Sequence, residues 1–183
     1  VGFLFLLLSN VLAYSPGDFV TTWKTDASSE DPTSITLNFQ YIGMMGYYEV
    51  SWECNGTYDI VYYAKHTHDY SAAGTYDVCI RSLAPLAFYA PGLTGGERAK
   101  LLEIKQWGNI SWKSFKEAFK DMTNVRLTAT DVPNLSQVTD MSSAFQGATN
   151  FVGNNSMNNW NTSNVVYMGK MFREAKKFNS PIG

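Results

Sequence analysis

The chain has 183 residues, 45% hydrophobic and 16% charged, enough for one good core or two small ones and too apolar to stay disordered. Its formal net charge of −2 excludes the basic footprint expected of a nucleic-acid binder. Aromatic residues make up 15%, many of them Tyr, which favours β-structure and contact surfaces over helical bundles.

Residues 1–15 open with an apolar run, Phe3-Leu4-Phe5-Leu6-Leu7-Leu8, then Ser9 to Ala13. The run is shorter than the ~20 residues that span a bilayer. Val11 and Ala13 are small residues of the kind that precede signal-peptidase cleavage, and Tyr14-Ser15-Pro16-Gly17 breaks the segment. We expect the tail of a secretory signal peptide; a buried first strand or helix is the other reading. The start at Val1 leads to the expectation that the chain is a fragment, and no Cys follows the run to carry a lipid anchor.

Residues 16–90 switch to a period of two. Phe19–Trp23, Ile35–Phe39, Tyr48–Trp52, Tyr58–Tyr62 and Tyr76–Ile80 are strand-like and are separated by Gly, Asn, Asp or Ser. Short strands at this spacing predict a β-sandwich whose inner faces carry Leu37, Phe39, Val50, Trp52, Tyr76, Val78 and Ile80. Residues 91–106 begin in a Pro- and Gly-rich turn region and form the expected boundary. Leu86 and Phe88 before it, with Leu102 and Ile104 after it, are expected to cap the repeats that follow.

Residues 107–183 repeat. Val138, Met141, Phe145, Ala148 and Phe151 return 27 positions later as Val165, Met168, Phe172, Ala175 and Phe178. A fainter copy, Trp112, Phe115, Phe119, Met122 and Val125, precedes them by 26. A period of this size belongs to units that bury their apolar side only against a neighbour. Spacings of three, four and three predict one short helix per unit, with Ser136 and Ser163 ahead of it as caps. The Asn- and Gly-rich stretch from Phe151 to Trp160 predicts turns and a short strand. The expected architecture is therefore a sandwich followed by a short α/β solenoid, cut inside a unit at Phe178–Gly183, with more copies to follow.

The run Val138-Thr139-Asp140-Met141-Ser142-Ser143-Ala144-Phe145-Gln146-Gly147-Ala148-Thr149-Asn150-Phe151, then Trp160-Asn161-Thr162-Ser163-Asn164-Val165, resembles the repeat of BspA-like leucine-rich repeat surface proteins. That resemblance implies a secreted or surface-exposed, adhesin-like repeat protein and no enzyme. Tyr167, Gly169 and Lys170 depart from Asp140, Ser142 and Ser143 and make the outer surface more basic. His68-Asp69-Tyr70, continuing through Gly74-Thr75-Tyr76-Asp77-Val78, is similar to a PKD-type immunoglobulin-like domain. Glu53-Cys54-Asn55 departs from that family's Trp-Gly-Asp-Gly turn.

Few residues suggest chemistry. His66, His68 and Asp69 offer two imidazoles and a carboxylate but no further metal ligand, and the acid pairs Glu30-Asp31 and Glu117-Asp121 read as solvated residues. No nucleophile elbow, phosphate loop, dinucleotide fingerprint or zinc-protease motif is present, so we expect no catalytic residue, cofactor or metal. Cys54 and Cys79 are the only cysteines and a candidate disulfide. Strand parity puts them on opposite faces and opposes a bridge, unless the turn after Trp52 resets the parity. Asn55, Asn109, Asn134, Asn154 and Asn161 each open a sequon, which reads equally as a glycan site or as turn chemistry.

These readings converge on a non-catalytic secreted or cell-surface protein that binds an extracellular protein or glycan through its repeats, with no nucleic-acid partner. Membrane contact is expected only through the leader or an anchor outside this chain. The alternative is an accessory spacer or carbohydrate-binding region of a larger secreted enzyme.

Overall fold

The computed structural model describes residues 14–28, 30–41, 46–62 and 64–181; residues 1–13 of the expected leader at 1–15 and the last two residues of the chain lie outside them. The protein is mostly β-sheet with few helices. The strands are β1 Phe19–Lys24, β2 Ser34–Tyr41, β3 Tyr48–Ser51, β4 Asp59–Val61, β5 Lys65–Asp69, β6 Thr75–Arg81, β7 Leu86–Phe88, β8 Leu101–Gln106 and β9 Arg126–Leu127. They form one sheet of order β4-β3-β6-β1-β8-β9 and a second of order β5-β2-β7. All pairings are antiparallel except β8 with β9.

Alternation along the strands fills the space between the sheets, as the period of two predicts. Leu37, Phe39, Val50, Trp52, Val78 and Ile80 are all buried in one apolar core, with Tyr76 packed against it. Cys79 alternates to the outer face of the large sheet, where it meets Val20 and Cys54 under Tyr14 and Tyr58. After β3 the chain turns with Cys54 at φ 47° and Gly56 at φ 88°. This turn resets the parity: Cys54 lies on the outer face beside Cys79 and is joined to it, with Cα atoms 5.1 Å apart.

The segment 91–106 joins the two halves through continuous structure. It starts in a short 3-10 turn, Ala90–Gly92, and a six-residue helix, α1, Gly95–Lys100. Thr94 caps α1 by accepting from Glu97 N. Lys100 is fully buried, and its ammonium donates to Glu97 Oε1, to Asp31 O at 2.8 Å and to Ser34 O at 3.0 Å, while Glu97 Oε2 accepts from Thr36 N at 2.9 Å. All three ammonium protons thus have acceptors, which a buried cation requires. β8 then pairs with β1, so Leu101 and Ile104 enter the core while Leu102, expected in the cap, stays at the surface boundary.

The repeats stack, but no helical or α/β solenoid forms. In place of one helix per unit, each coil is a chain of tight turns: the fourth residue's N–H returns to the first carbonyl at 115–118, 119–122, 141–144, 145–148, 168–171 and 172–175. The third residue of each turn is left-handed, namely Glu117, Asp121, Ser143, Gly147, Lys170 and Glu174, with φ between 53° and 72°. A left-handed residue at that position is the mark of a type II turn and ends any α-helix there. Alternate N–H groups are thereby released to the neighbouring coil. Phe115, Glu117, Phe119 and Asp121 donate to Asp140, Ser142, Ala144 and Gln146, and Met141, Ser143, Phe145 and Gly147 donate to Tyr167, Gly169, Met171 and Arg173, all at 2.7–3.0 Å. A helix would have spent these donors internally.

Two further expectations are corrected. Ser136 and Ser163 cap no helix; the Asn134 side chain accepts from Ser136, and Asn161 accepts from Ser163 N. The Asn-rich stretch forms a 3-10 helix, Asn155–Asn159, and the strand-like contacts between coils reduce to isolated parallel bridges such as Asp140 with Tyr167. The stacked rings are regular: Phe119 to Phe145 is 5.2 Å and Phe145 to Phe172 is 5.8 Å, with interplanar angles of 13° and 8°. Phe88 meets Phe119 at 5.6 Å, so one core runs from the sandwich into the stack.

Candidate binding surfaces

The first two coils, 112–125 and 138–151, have every repeated apolar residue buried. The third, 165–178, does not: Met168 is 43% exposed, and Val165, Phe172 and Phe178 are only partly buried. Its carbonyls at Tyr167, Gly169, Met171 and Arg173 face inward and are used, whereas the N–H groups of Met168, Lys170, Phe172 and Glu174 point the other way and donate to nothing among the described residues. Exposed Val166 and Tyr167 extend the apolar stripe beside that row. Lys170, Arg173, Lys176 and Lys177 are exposed on the same coil, and Glu174 pairs with Arg173 at 3.3 Å. Backbone donors, apolar side chains and cations therefore all occur on the third coil.

The other residues singled out by the sequence are dispersed. His66 and His68 share a face of β5 by alternation, and Asp69 falls on the opposite one. Both imidazoles lie over Trp52, His68 stacked on it at 4.6 Å. Burial holds the His68 imidazole below its usual range, against the opposing pull of Asp59 and Asp69. Among the described residues no three His, Cys, Asp or Glu side chains converge as a metal site would require. Glu30 accepts from the Thr94 hydroxyl at 3.0 Å, while Asp31 supplies its carbonyl, to Lys100 and to Ser34. Glu117 pairs with Lys120 at 2.6 Å, raising the lysine's pKa, and Asp121 reaches Arg98 at 3.5 Å, so these two carboxylates share no task.

The five sequon asparagines differ in availability. Asn154 is committed: its amide donates to Leu127 O and Ala129 O, and its oxygen accepts from Ser156. Asn55 is exposed but folded back on its own turn through Thr57 N and Glu53. Asn109, Asn134 and Asn161 are exposed, and their amide nitrogens donate to nothing among the described residues. No helix among the described residues is long and apolar enough to cross a membrane.

A family model described as "Mycoplasma protein of unknown function, DUF285" matches residues 113–183, less than half of the chain. This corrects the two resemblances drawn from the sequence: neither the BspA-like leucine-rich repeat family nor the PKD family is found, and the repeats match DUF285 instead. No curated protein matches the chain, and no solved structure does.

Proposed function

We propose that this chain is a non-catalytic binding protein that works outside the cell, secreted or at the surface, and that the exposed polar face of its repeats takes a protein or glycan partner. The observation that carries this reading is the match of Asn134, Ser136 and Gln137 on one coil with Asn161, Ser163 and Asn164 on the next, all six exposed. They sit in register: Asn164 Nδ2 donates to Ser136 O at 2.8 Å, and Gln137 Nε2 donates to Ser111 Oγ at 3.1 Å. A stacked polar ledge of this kind suits adaptable contacts without a deep pocket. The joined Cys54 and Cys79 support placement in an oxidising compartment.

The test is calorimetric titration of the chain with a glycan panel and with extracellular-matrix proteins, heparin and single-stranded DNA serving as polyanion controls. A glycan or matrix protein is expected to bind with a Kd of roughly micromolar order. Gln137→Ala with Asn164→Ala should weaken it about tenfold or more, both side chains being exposed. Absence of saturable binding, binding of the polyanions alone, or unchanged binding to the double variant would each sink the reading.

A further inference from the structure

A separate site lies where β1 begins, β3 begins, β6 ends and the chain turns after β8. There a cleft of about 300 Å³ is lined by Glu49, Arg81, Asn109, Tyr47, Leu83 and Ile110 over a floor formed by Asp18. The Asp18 side chain is completely buried. Its Oδ1 accepts from Arg81 Nε at 2.5 Å, and its Oδ2 accepts from the Tyr58 hydroxyl and from Ser15 N, each at 2.8 Å. The Asp18 and Gly17 carbonyls are tied to Gln106 Nε2 at 2.7 Å and to Asn109 N at 2.9 Å. The floor is therefore rigid, and the carboxylate, being completely buried, is closed to a ligand.

Its effect is to aim Arg81. The guanidinium carbon lies 3.8 Å above the Tyr58 ring, so one face is covered and Nε is held. The two terminal nitrogens donate to nothing among the described residues, and 42% of the side chain is open to solvent. A guanidinium held in this way presents its remaining N–H groups at fixed angles, which suits a carboxylate. Glu49 stands opposite Arg81 in the β3–β6 register and makes no hydrogen bond or ion pair among the described residues. The cleft thus holds one open cation and one open anion on neighbouring strands.

Charge decides the ligand class. The Arg81 charge is already balanced by Asp18, so with Glu49 the site carries a net negative charge. A simple anion meets no net attraction there, and a simple cation leaves the Arg81 fork unused. A molecule with a free carboxylate and a free ammonium satisfies both groups. Leu83 is 97% exposed and Tyr47 38% exposed beside the buried Ile110, so an apolar side chain on the ligand would remove surface that otherwise faces water. The volume is at the small end for ligand sites. We propose that this cleft binds an apolar α-amino acid or dipeptide, its carboxylate on the terminal nitrogens of Arg81 and its ammonium on Glu49. This site is independent of the repeat-face reading.

The experiment is calorimetry and amide NMR on the whole chain with leucine, leucyl-leucine, N-acetyl-leucine and leucinamide. Saturable binding of leucine or its dipeptide is expected, with shifts at Glu49, Arg81 and Asn109, and the stronger of the two identifies the source. Capping either end should weaken binding about tenfold or more. Glu49→Gln, at a side chain that makes no hydrogen bond among the described residues, should abolish the preference for a free amine, so that leucine and N-acetyl-leucine bind alike; Arg81→Lys, which keeps a charge for Asp18, should weaken every carboxylate ligand. Absence of saturable binding up to about 10 mM would overturn the proposal, a limit set by the millimolar range of weak ligands. So would indifference to capping and to Glu49→Gln, or shifts confined to another surface.

Discussion

Asp18 concentrates several contacts in one carboxylate that water does not reach. Because Arg81 is partly solvated, Asp18→Asn should cost less than the ~3–5 kcal/mol of a fully buried broken pair, about 2–3 kcal/mol, read as a lower urea midpoint at neutral pH. Tyr58 reports on the same carboxylate. Burial first, then its hydrogen bond to Asp18 and that residue's charge, pushes the Tyr58 phenol up to about 12. The folded state thus retains this proton longer than the unfolded chain, whose phenol titrates near 10. The contribution is complete below about pH 10 and declines as the pH rises from there towards about 12. A tyrosinate absorbance titration should contain a late step that Tyr58→Phe removes and Asp18→Asn moves to lower pH; its persistence in Tyr58→Phe would show that another residue produces it.

The coils show what a sequence period can and cannot specify. Gly147 occupies a left-handed turn at φ 72°, and a Cβ added there would come 2.1 Å from Asp121 Oδ1. Gly147→Ala should therefore destabilise the protein by about 1–3 kcal/mol. Ser143 holds an equivalent position at φ 57° with a side chain, so Ser143→Gly should stabilise by roughly 0.5–1 kcal/mol. Thermal unfolding of both variants distinguishes turns from a helix, in which glycine at either position would be the worse residue. The repeat itself was legible because Phe119, Phe145 and Phe172 must be apolar to stack. Its local conformation was not, since spacings of three and four suit a helix and a chain of tight turns equally. The choice is made by N–H groups that bond to a coil more than twenty residues away, which no local pattern records. Of β5 only the strand face bearing His66 and His68 was legible, since its Lys, Thr and Asp form an exposed edge, and β8 was not, because only Leu101 and Ile104 of its six residues are buried. Nor did any motif mark the cleft, whose Asp18 and Arg81 lie 63 positions apart and meet only through the β1–β6 pairing.

At the scale of the molecule, the sandwich and the stack share one apolar interior. Phe119 lies at the junction, touching Phe88 of the sandwich, Trp107, and Phe145 of the next coil. Phe119→Ala should cost about 3–5 kcal/mol and lower the unfolding temperature of both halves together. Near-ultraviolet and far-ultraviolet dichroism should then follow a single transition; two separated transitions would mean that the halves melt as independent bodies.

β1 is hydrogen-bonded to β6 on one side and to β8 on the other, and β8 in turn carries β9 and the first coil. Each later layer is therefore laid on a surface finished by residues nearer the amino terminus. A ribosome delivers the chain in that same order, so the sandwich is already present as a template when the coils emerge, and a circular permutant that synthesised the coils first would present them without it.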